Sequence, residues 1–255
     1  MQDVYQNFRE NGYYLFRNFF KEDELNGFYK ILQRADNEWQ KTNFRDSYVN
    51  SNYLTSTRYC KEKEDRIRFF AFISQNKILE IAKVLIQDHP YFLNTQIFYN
   101  PKEISKSPYW HRDVQYLGVP EEEQKNIILK DSVLHFRIPF KDDPGLHFIP
   151  GSHSRWDTEE ERTVRLELNG HKNNEEISNS VKIPHAKGDL LVFSAHIIHK
   201  GDYSKERFSF DLLLTDFPEK ENTIISFLHF PEQEISDRLE NPGLFEFTKE
   251  TIGEI

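Results

Sequence analysis

The sequence predicts a mainly β protein with flanking helices, whose core is a double-stranded β-helix, or jelly roll. Apolar residues recur at helical spacing through about residues 1–90, and short runs typical of strands follow through about residues 91–217. Many strands after an initial helical block fit a jelly roll with helices packed against one sheet. The 255 residues suit one domain, with 218–255 as a C-terminal appendage packed outside.

The first part of the chain alternates between helical patterns and polar stretches. Gly12 follows the first helical pattern and can take a left-handed cap, and Ser74 is a candidate N-cap for the last helix of the block. The polar stretch 42–64 lacks periodicity, which predicts a long surface loop. The predicted elements are helices at 3–10, 21–40, 65–71 and 74–87 and a strand at 13–16.

Strand patterns dominate from residue 91 onward. The stretch 132–140 alternates strictly, with four apolar residues facing one way and His135 and Arg137 facing the other. The charged stretch 119–131 and the polar stretch 156–180 are predicted to be surface excursions. The remaining predicted strands are 91–99, 145–149, 181–184, 189–193, 197–199 and 208–216.

Composition excludes several classes of function. The formal net charge of −9 argues against a nucleic-acid surface or an anionic-membrane partner. The chain has one cysteine, Cys60, so no disulfide can form within it. It begins without the pattern of a signal peptide, and no apolar run approaches the ~20 residues that span a bilayer. We therefore expect a cytoplasmic protein, monomeric or homodimeric, that acts on a small molecule.

The stretch Tyr109-Trp110-His111-Arg112-Asp113 carries the clearest chemical signal. On a strand, residues two apart project to the same face, so His111 and Asp113 can aim an imidazole and a carboxylate at one point. This pair is two-thirds of the 2-His-1-carboxylate triad, which holds Fe(II) and leaves coordination positions open. A lone His-x-Asp pair is frequent by chance, so the prediction depends on a third ligand.

Candidates for that ligand lie far along the chain. His196 and His199 share one strand-like segment, and only one of them would complete the triad. Beyond them, Arg207 is a permanent cation suited to binding a carboxylate through two hydrogen bonds, and Lys205 is the alternative.

Four passages, in chain order, carry a family resemblance: Phe8–Phe20, Tyr109–Asp113, Pro144–His153, and Gly188–Phe193 with His199 and Arg207. Together they resemble the phytanoyl-CoA dioxygenase-like branch of the Fe(II)/2-oxoglutarate-dependent oxygenases, which includes ectoine hydroxylase-type enzymes. The passages cover most of the chain, and only its last stretch is unmatched. The resemblance implies a cupin-like jelly roll.

The resemblance also implies a set of site residues. The family's second histidine ligand lies six residues beyond the Phe of the Gly-Asp strand, which selects His199 over His196. Fe(II) would be held by His111, Asp113 and His199, and O2 would be consumed with release of succinate and CO2. Arg207 would pair with the far carboxylate of 2-oxoglutarate, with Ser209 as a possible hydroxyl partner.

Further polar residues are candidates for the cofactor or substrate site. Asn94 and Gln96 share a strand face and could donate to 2-oxoglutarate or substrate, or simply satisfy backbone groups at a strand edge. His135, Arg137 and Tyr109 are predicted to contact substrate. If Arg137 faces the barrel, a substrate acid would be its partner; otherwise the apolar face lines the pocket and Arg137 faces outward.

The predicted function is hydroxylation of a small polar metabolite, anionic if Arg137 points inward. Because Asp113 is present, a halogenase is excluded by resemblance, since those enzymes replace the carboxylate with a small residue. Desaturation, epoxidation and ring closure share the same ligands and stay open. The alternatives are a cupin-like metal-dependent isomerase or hydrolase, and a non-catalytic jelly-roll binding module.

Overall fold

A computed structural model of the chain describes residues 1–103, 105–217 and 229–253. Within these ranges it contains eight α-helices and nine β-strands. The helices are α1 (Gln2–Asn11), α2 (Glu22–Asn43), α3 (Lys63–Ile73), α4 (Asn76–Ile86), α5 (Glu121–Lys130), α6 (Glu159–Arg165), α7 (Gln233–Ser236) and α8 (Gly243–Ile252). The strands are β1 (Tyr13–Phe16), β2 (Asn50–Asn52), β3 (Tyr91–Phe98), β4 (Val133–Pro139), β5 (Asp143–Phe148), β6 (Val181–His185), β7 (Leu190–Ser194), β8 (His199–Lys200) and β9 (Ser209–Thr215).

The strands form two antiparallel sheets. The larger sheet has the order β1-β7-β4-β9-β3-β2, and the smaller has the order β6-β5-β8. Side chains of β5, including Phe148, pack against Phe193 of β7 in a separate apolar cluster. The strands named in this cluster belong to both sheets, so the two sheets face each other across it. The predicted jelly-roll core is confirmed.

Helices cover the outer face of the larger sheet, which is one of the two arrangements that the alternation of β4 leaves open. Leu134, Phe136 and Ile138 are buried in the same cluster as the apolar faces of α2, α3 and α4. Phe28 of α2 lies in the middle of this layer, with its ring 5.3 Å from that of Phe210 on β9. Because this face of β4 points at the helices, the opposite face points between the sheets.

The last part of the chain joins the helical layer. Phe245 of α8 is fully buried, and its ring lies 5.0 Å from Phe70 and 5.3 Å from Phe92 of β3. The predicted appendage therefore packs outside the larger sheet where it is described, at residues 229–253. Its remaining residues, 218–228 and 254–255, lie outside the described part of the chain.

Two local predictions were wrong. The predicted loop 42–64 contains β2, an Asn-Ser-Asn strand that pairs with β3 through its backbone and has no apolar alternation to reveal it. The surface excursion predicted at 119–131 is not contradicted, and it contains the helix α5, in which Ile128 is buried. Ser74 does not cap α4: Gln75 takes that position, and the Ser74 hydroxyl donates instead to the carbonyl of Phe70.

None of the described helices combines the length and the apolar character needed to cross a bilayer.

Candidate metal and cofactor site

Backbone pairing brings the ends of the predicted triad together. His111 and His199 form an isolated antiparallel bridge, in which each backbone N–H donates to the other's carbonyl at 3.0 and 2.9 Å. The backbone N–H of Asp113 donates to the carbonyl of Ala195. Asp113 begins a 3-10 helix, Asp113–Leu117, so the predicted regular strand through both ligands was wrong. Their convergence comes from the pairing with the segment around His199.

The three side chains present ligand atoms to one point. Those of His111, Asp113 and His199 all lie within 4.8 Å of one another. Oδ1 of Asp113 is 3.7 Å from Nε2 of His111 and 3.7 Å from Nε2 of His199. A site of two imidazoles and one carboxylate is the donor set of a facial triad.

Hydrogen bonds orient both imidazoles. Nδ1 of His111 lies 3.0 Å from the carbonyl oxygen of Tyr109, and Nδ1 of His199 lies 2.9 Å from that of Ile197. Because a carbonyl can only accept, Nδ1 carries the proton in each ring and Nε2 is left as the free lone pair. Both rings therefore present their unprotonated nitrogen to the triad centre.

The protonation states also fit a divalent cation. Burial lowers the pKa of His199 to about 3 and lowers that of His111, which favours the neutral imidazole. Burial alone would raise the pKa of Asp113, but the hydrogen bond and the positive charge of His135, whose own pKa is raised, hold it well below its usual range. Neutral imidazole and ionised carboxylate are the forms that bind metal.

His196 has a different role in this geometry. Its Nε2 lies 2.9 Å from the carbonyl oxygen of Asp131, and the residue is not part of the three-residue group. The arrangement favours His199, as the family spacing does, and leaves His196 as a structural residue at the cavity wall.

The cavity in front of the triad has a volume of about 600 Å³. Tyr109 lies beside His111, and its hydroxyl is 2.7 Å from that of Tyr116, which is 57% exposed. The wall residues are Val49, Asn50, Tyr53, Leu93, Asn94, Gln96, Phe98, Tyr109, His111, Asp113, Val114, Tyr116, Leu117, Ile127, Val133, His135, Arg137, Leu146, Phe193, Ala195, His196, His199, Gly201, Tyr203, Arg207, Leu213 and Phe217.

Arg207 lies on the same cavity wall, with a side chain that is almost fully buried. One Nη donates to the carbonyl of Tyr99 at 3.4 Å, and the guanidinium lies 4.8 Å from the ring centre of Tyr203. Its Nε has no hydrogen-bond partner among the described residues. Burial lowers the pKa of Arg207, so an anionic partner would relieve the cost of this charge. Lys205 is exposed and does not line the cavity.

Ser209 does not join Arg207 in the cavity. Its buried hydroxyl donates to Oδ2 of Asp143 at 2.7 Å, so in this structure it is not available to a carboxylate ligand. Asn94 and Gln96 both line the cavity, as their predicted common face requires. Oδ1 of Asn94 accepts from the backbone N–H of Tyr53 and of Thr95, which is the structural use that the sequence left open.

Arg137 and His135 point between the sheets, but their partners belong to the chain. Arg137 donates from Nε and Nη2 to the two oxygens of Asp211, at 2.7 and 2.8 Å. Nδ1 of His135 lies 2.8 Å from Asp211 and its Nε2 lies 2.9 Å from Oδ2 of Asp113. Of the two orientations that the sequence left open for Arg137, the structure has the inward one, and its partner is Asp211 rather than a substrate acid.

Asp211 and Arg112 are two residues of the site that the sequence did not reveal. Arg112 is fully buried between the ligands His111 and Asp113. It donates to Asp157, to the carbonyl of Ser152 in the Pro-Gly-Ser-His turn, and to the carbonyl of His196. Arg112 thus connects the segment that contains His111 and Asp113 to His196, in the segment that leads to His199. The Trp-His-Arg-Asp stretch contains this arginine, but nothing in the sequence points to Asp157 as its partner.

Comparisons with known proteins identify the family of the chain. The model of the family described as phytanoyl-CoA dioxygenase (PhyH) matches residues 8–205. A comparison with curated proteins found no match.

Similar solved structures share the fold. The non-heme alpha ketoglutarate dependent carbocyclase SnoK from nogalamycin biosynthesis has a TM-score of 0.58 at 17% identity, over 85% of this chain and 84% of that one. EctD from S. alaskensis, with 2-oxoglutarate and 5-hydroxyectoine, has a TM-score of 0.57 at 16% identity, over 84% and 74%. The epimerase SnoN has a TM-score of 0.55 at 15% identity, over 84% and 82%. The match over residues 8–205 shows that the chain belongs to the phytanoyl-CoA dioxygenase family, a branch of the Fe(II)- and 2-oxoglutarate-dependent enzymes.

Proposed function

We propose that this protein is an Fe(II)- and 2-oxoglutarate-dependent oxygenase that hydroxylates a small molecule. One observation carries the proposal: a two-histidine, one-carboxylate group faces the same cavity as a buried arginine, whose Nε has no hydrogen-bond partner in the part of the chain that the structure describes. A metal-binding group alone would fit many metalloproteins. The buried cation beside it fits a co-substrate that chelates a metal at one end and carries a carboxylate at the other.

Each residue has a defined task in this proposal. His111, Asp113 and His199 would hold Fe(II), with their Nε2 and Oδ1 atoms as ligands. Arg207 would bind the far carboxylate of 2-oxoglutarate in surroundings where water competes little, because its side chain is buried. Bound Fe(II) and 2-oxoglutarate would supply the oxidising chemistry, with O2 consumed and succinate and CO2 released. The protein's own contribution is orientation of the reactants and exclusion of water.

The cavity supports a neutral rather than an anionic substrate. Its acidic, basic and histidine wall residues, among those described, are the triad members, His196, Arg207, and the pair His135 and Arg137. The last two are hydrogen-bonded to carboxylates of the chain, so they have no unmet need for a substrate acid. The other walls combine amide and tyrosine side chains with side chains of Leu, Val and Phe. We propose a small substrate with an apolar body and a few hydrogen-bonding groups.

Binding of the cofactors is the first test. Fe(II) and 2-oxoglutarate are added to the protein without oxygen, and the visible spectrum is recorded. The proposed oxygenase gives a metal-to-ligand charge-transfer band, which Asp113→Ala removes. A cupin-like isomerase or hydrolase without 2-oxoglutarate, or a non-catalytic binding module, gives no band.

Product analysis is the second test, because similar solved structures include an epimerase and a carbocyclase. Succinate release is measured across a panel of neutral and anionic compounds. For each compound that stimulates it, the mass of the product is measured by mass spectrometry. Hydroxylation adds one oxygen atom to the substrate. Epimerisation leaves the mass unchanged, and ring closure removes two hydrogens.

A further inference from the structure

We infer that His135, held by Asp211 and Arg137, is a positioning residue that fixes Asp113 so that only its Oδ1 faces the metal. The inference rests on the proposed metal site and assigns a task to three buried side chains that the proposed function leaves without one. Two of them, His135 and Arg137, are candidates for substrate contact on sequence grounds. Their contacts point to the metal carboxylate instead.

The two oxygens of Asp113 have different surroundings. Oδ1 is 3.7 Å from Nε2 of both His111 and His199, which leaves room for an ion between them. Oδ2 instead lies 2.9 Å from Nε2 of His135, within hydrogen-bond distance. His135 therefore distinguishes the two oxygens and leaves Oδ1 as the metal ligand.

The ring of His135 cannot easily rotate away from this contact. Its other nitrogen, Nδ1, lies 2.8 Å from Oδ2 of Asp211, so both ring nitrogens are engaged. The ring also stacks on Phe193, with centroids 4.6 Å apart and planes inclined by 13°. His135 is 3% exposed, so water does not compete for either nitrogen.

Asp211 is itself fixed by the central strands of the larger sheet. Arg137 and Asp211 are directly opposite each other in the pairing of β4 with β9, and two hydrogen bonds join them. The guanidinium of Arg137 lies 4.3 Å from the ring centre of Phe98 and 5.4 Å from that of Phe193. The chain Arg137–Asp211–His135–Asp113 therefore runs from a rigid strand pair to the metal carboxylate.

This arrangement has a chemical consequence for the site. A carboxylate with two free oxygens can bind a metal through one or both of them, and the second would take a coordination position. A hydrogen bond to Oδ2 disfavours that second mode. Residues that orient metal ligands in this way typically contribute 10- to 100-fold, as an order of magnitude, to metal affinity or activity.

The test uses Co(II) alone as a spectroscopic probe, without 2-oxoglutarate or substrate. Affinity and visible spectrum are measured for the wild type, His135→Ala, His135→Gln and Asp211→Asn. We expect His135→Ala to bind Co(II) roughly 10- to 100-fold more weakly and with an altered spectrum. His135→Gln keeps a donor near Oδ2 and should recover most of the affinity. Asp211→Asn should fall between the wild type and His135→Ala.

His185→Gln is the matched control. His185 is equally buried and its Nε2 lies 3.6 Å from a carboxylate oxygen of Asp143, but it does not contact the triad. The Co(II) affinity and visible spectrum of the His185→Gln variant should equal those of the wild type. Circular dichroism checks that each variant is folded; if His135→Ala is not, the Gln and Asn variants decide.

The outcomes separate the two proposals. If the wild type binds no Co(II), the proposed metal site itself fails. If the wild type binds and the folded His135 and Asp211 variants bind with unchanged affinity and spectrum, the metal site stands and the positioning role is overturned. A lower melting temperature with an unchanged Co(II) spectrum also overturns it, because that result describes a purely structural histidine.

Discussion

Oδ1 of Asp157 accepts a 2.7 Å hydrogen bond from Nε of Arg112, and both side chains are fully buried. The other oxygen of Asp157 accepts from Arg165, also buried, at 2.8 Å. One carboxylate thus balances two guanidiniums, one of which lies between two proposed metal ligands. The segment His111–Asp113 is therefore held in place by a carboxylate that lies far from it in sequence.

Removal of that carboxylate should destabilise the protein strongly. Asp157→Ala leaves Arg112 and Arg165 buried without their counter-charge, and breaking a buried pair typically costs about 3–5 kcal/mol. The free energy of unfolding is measured by urea denaturation. Glu121→Ala is the matched control, because Glu121 also pairs with an arginine, Arg162, but both side chains are more than one-third exposed. That change should cost no more than about 1 kcal/mol.

Substitution of each proposed metal ligand should abolish 2-oxoglutarate turnover. His111→Ala, Asp113→Ala and His199→Ala each remove one donor atom from the group that converges on one point. His196→Ala should retain much of the activity, since its Nε2 is directed at the carbonyl of Asp131. Succinate release under saturating Fe(II) measures this. An inactive His196→Ala beside an active His199→Ala reverses the ligand assignment.

Arg207→Ala should raise the KM for 2-oxoglutarate. The substitution removes the buried cation that would pair with the far carboxylate, and truncating one member of a buried charge pair typically costs about 2–5 kcal/mol. The measurement is KM from succinate release, with binding titration as a check. Lys205→Ala is the control, because Lys205 is exposed and lies outside the cavity wall. An equal KM for Arg207→Ala and the wild type contradicts the assignment.

Local patterns predicted the parts of the fold that depend on neighbouring residues. The period-two alternation of β4 correctly separated the face packed on the helices from His135 and Arg137. Gly12 takes the left-handed conformation that ends α1, with φ of 82°. The strand β1 spans the residues that its apolar run predicts. Periodicity and a glycine that ends a helix are local properties, which a single sequence can reveal.

Pairings between distant strands could not be predicted in the same way. The partner of Arg137 is Asp211, which lies opposite it only because β4 and β9 are neighbours in the larger sheet. Because the sequence does not show that β4 and β9 are neighbours, an arginine that points inward suggested an anionic substrate as its partner. β2 was missed for a related reason: its residues are polar, and only its pairing with β3 makes it a strand.

Acid should destabilise the protein partly through His153. Burial lowers the pKa of His153 to about 4. An unfolded histidine titrates near pH ~6.5. Between these values the unfolded state binds more protons than the native state, so the stability from neutral His153 is present above the unfolded pKa and declines as the pH falls toward 4.

His153→Gln tests this contribution. The free energy of unfolding is measured by urea denaturation between about pH 7 and about pH 4. As the pH falls, this free energy should decline less steeply in the variant than in the wild type. His171→Gln changes an exposed histidine. It should leave the decline of the free energy of unfolding with falling pH unchanged. Equal slopes for His153→Gln and the wild type contradict the prediction.

Ser209 provides the sharpest distinction between sequence resemblance and observed contact. Its place on the strand after Arg207 makes its hydroxyl a possible partner for the same carboxylate of 2-oxoglutarate, whereas here the hydroxyl donates to Asp143 at 2.7 Å. A hydroxyl has one proton, so it cannot donate to both carboxylates at once. If the contact with Asp143 persists when the co-substrate binds, Ser209 is a structural residue.

We therefore expect Ser209→Ala to lower stability with little change in KM for 2-oxoglutarate. Loss of the donor leaves a buried oxygen of Asp143 with one partner fewer, which typically costs about 1–3 kcal/mol. Urea denaturation gives the stability, and succinate release gives KM. Ser209→Thr keeps the hydroxyl and serves as the control for stability. A KM raised in Ser209→Ala but not in Ser209→Thr would show instead that the hydroxyl turns from Asp143 to the co-substrate on binding.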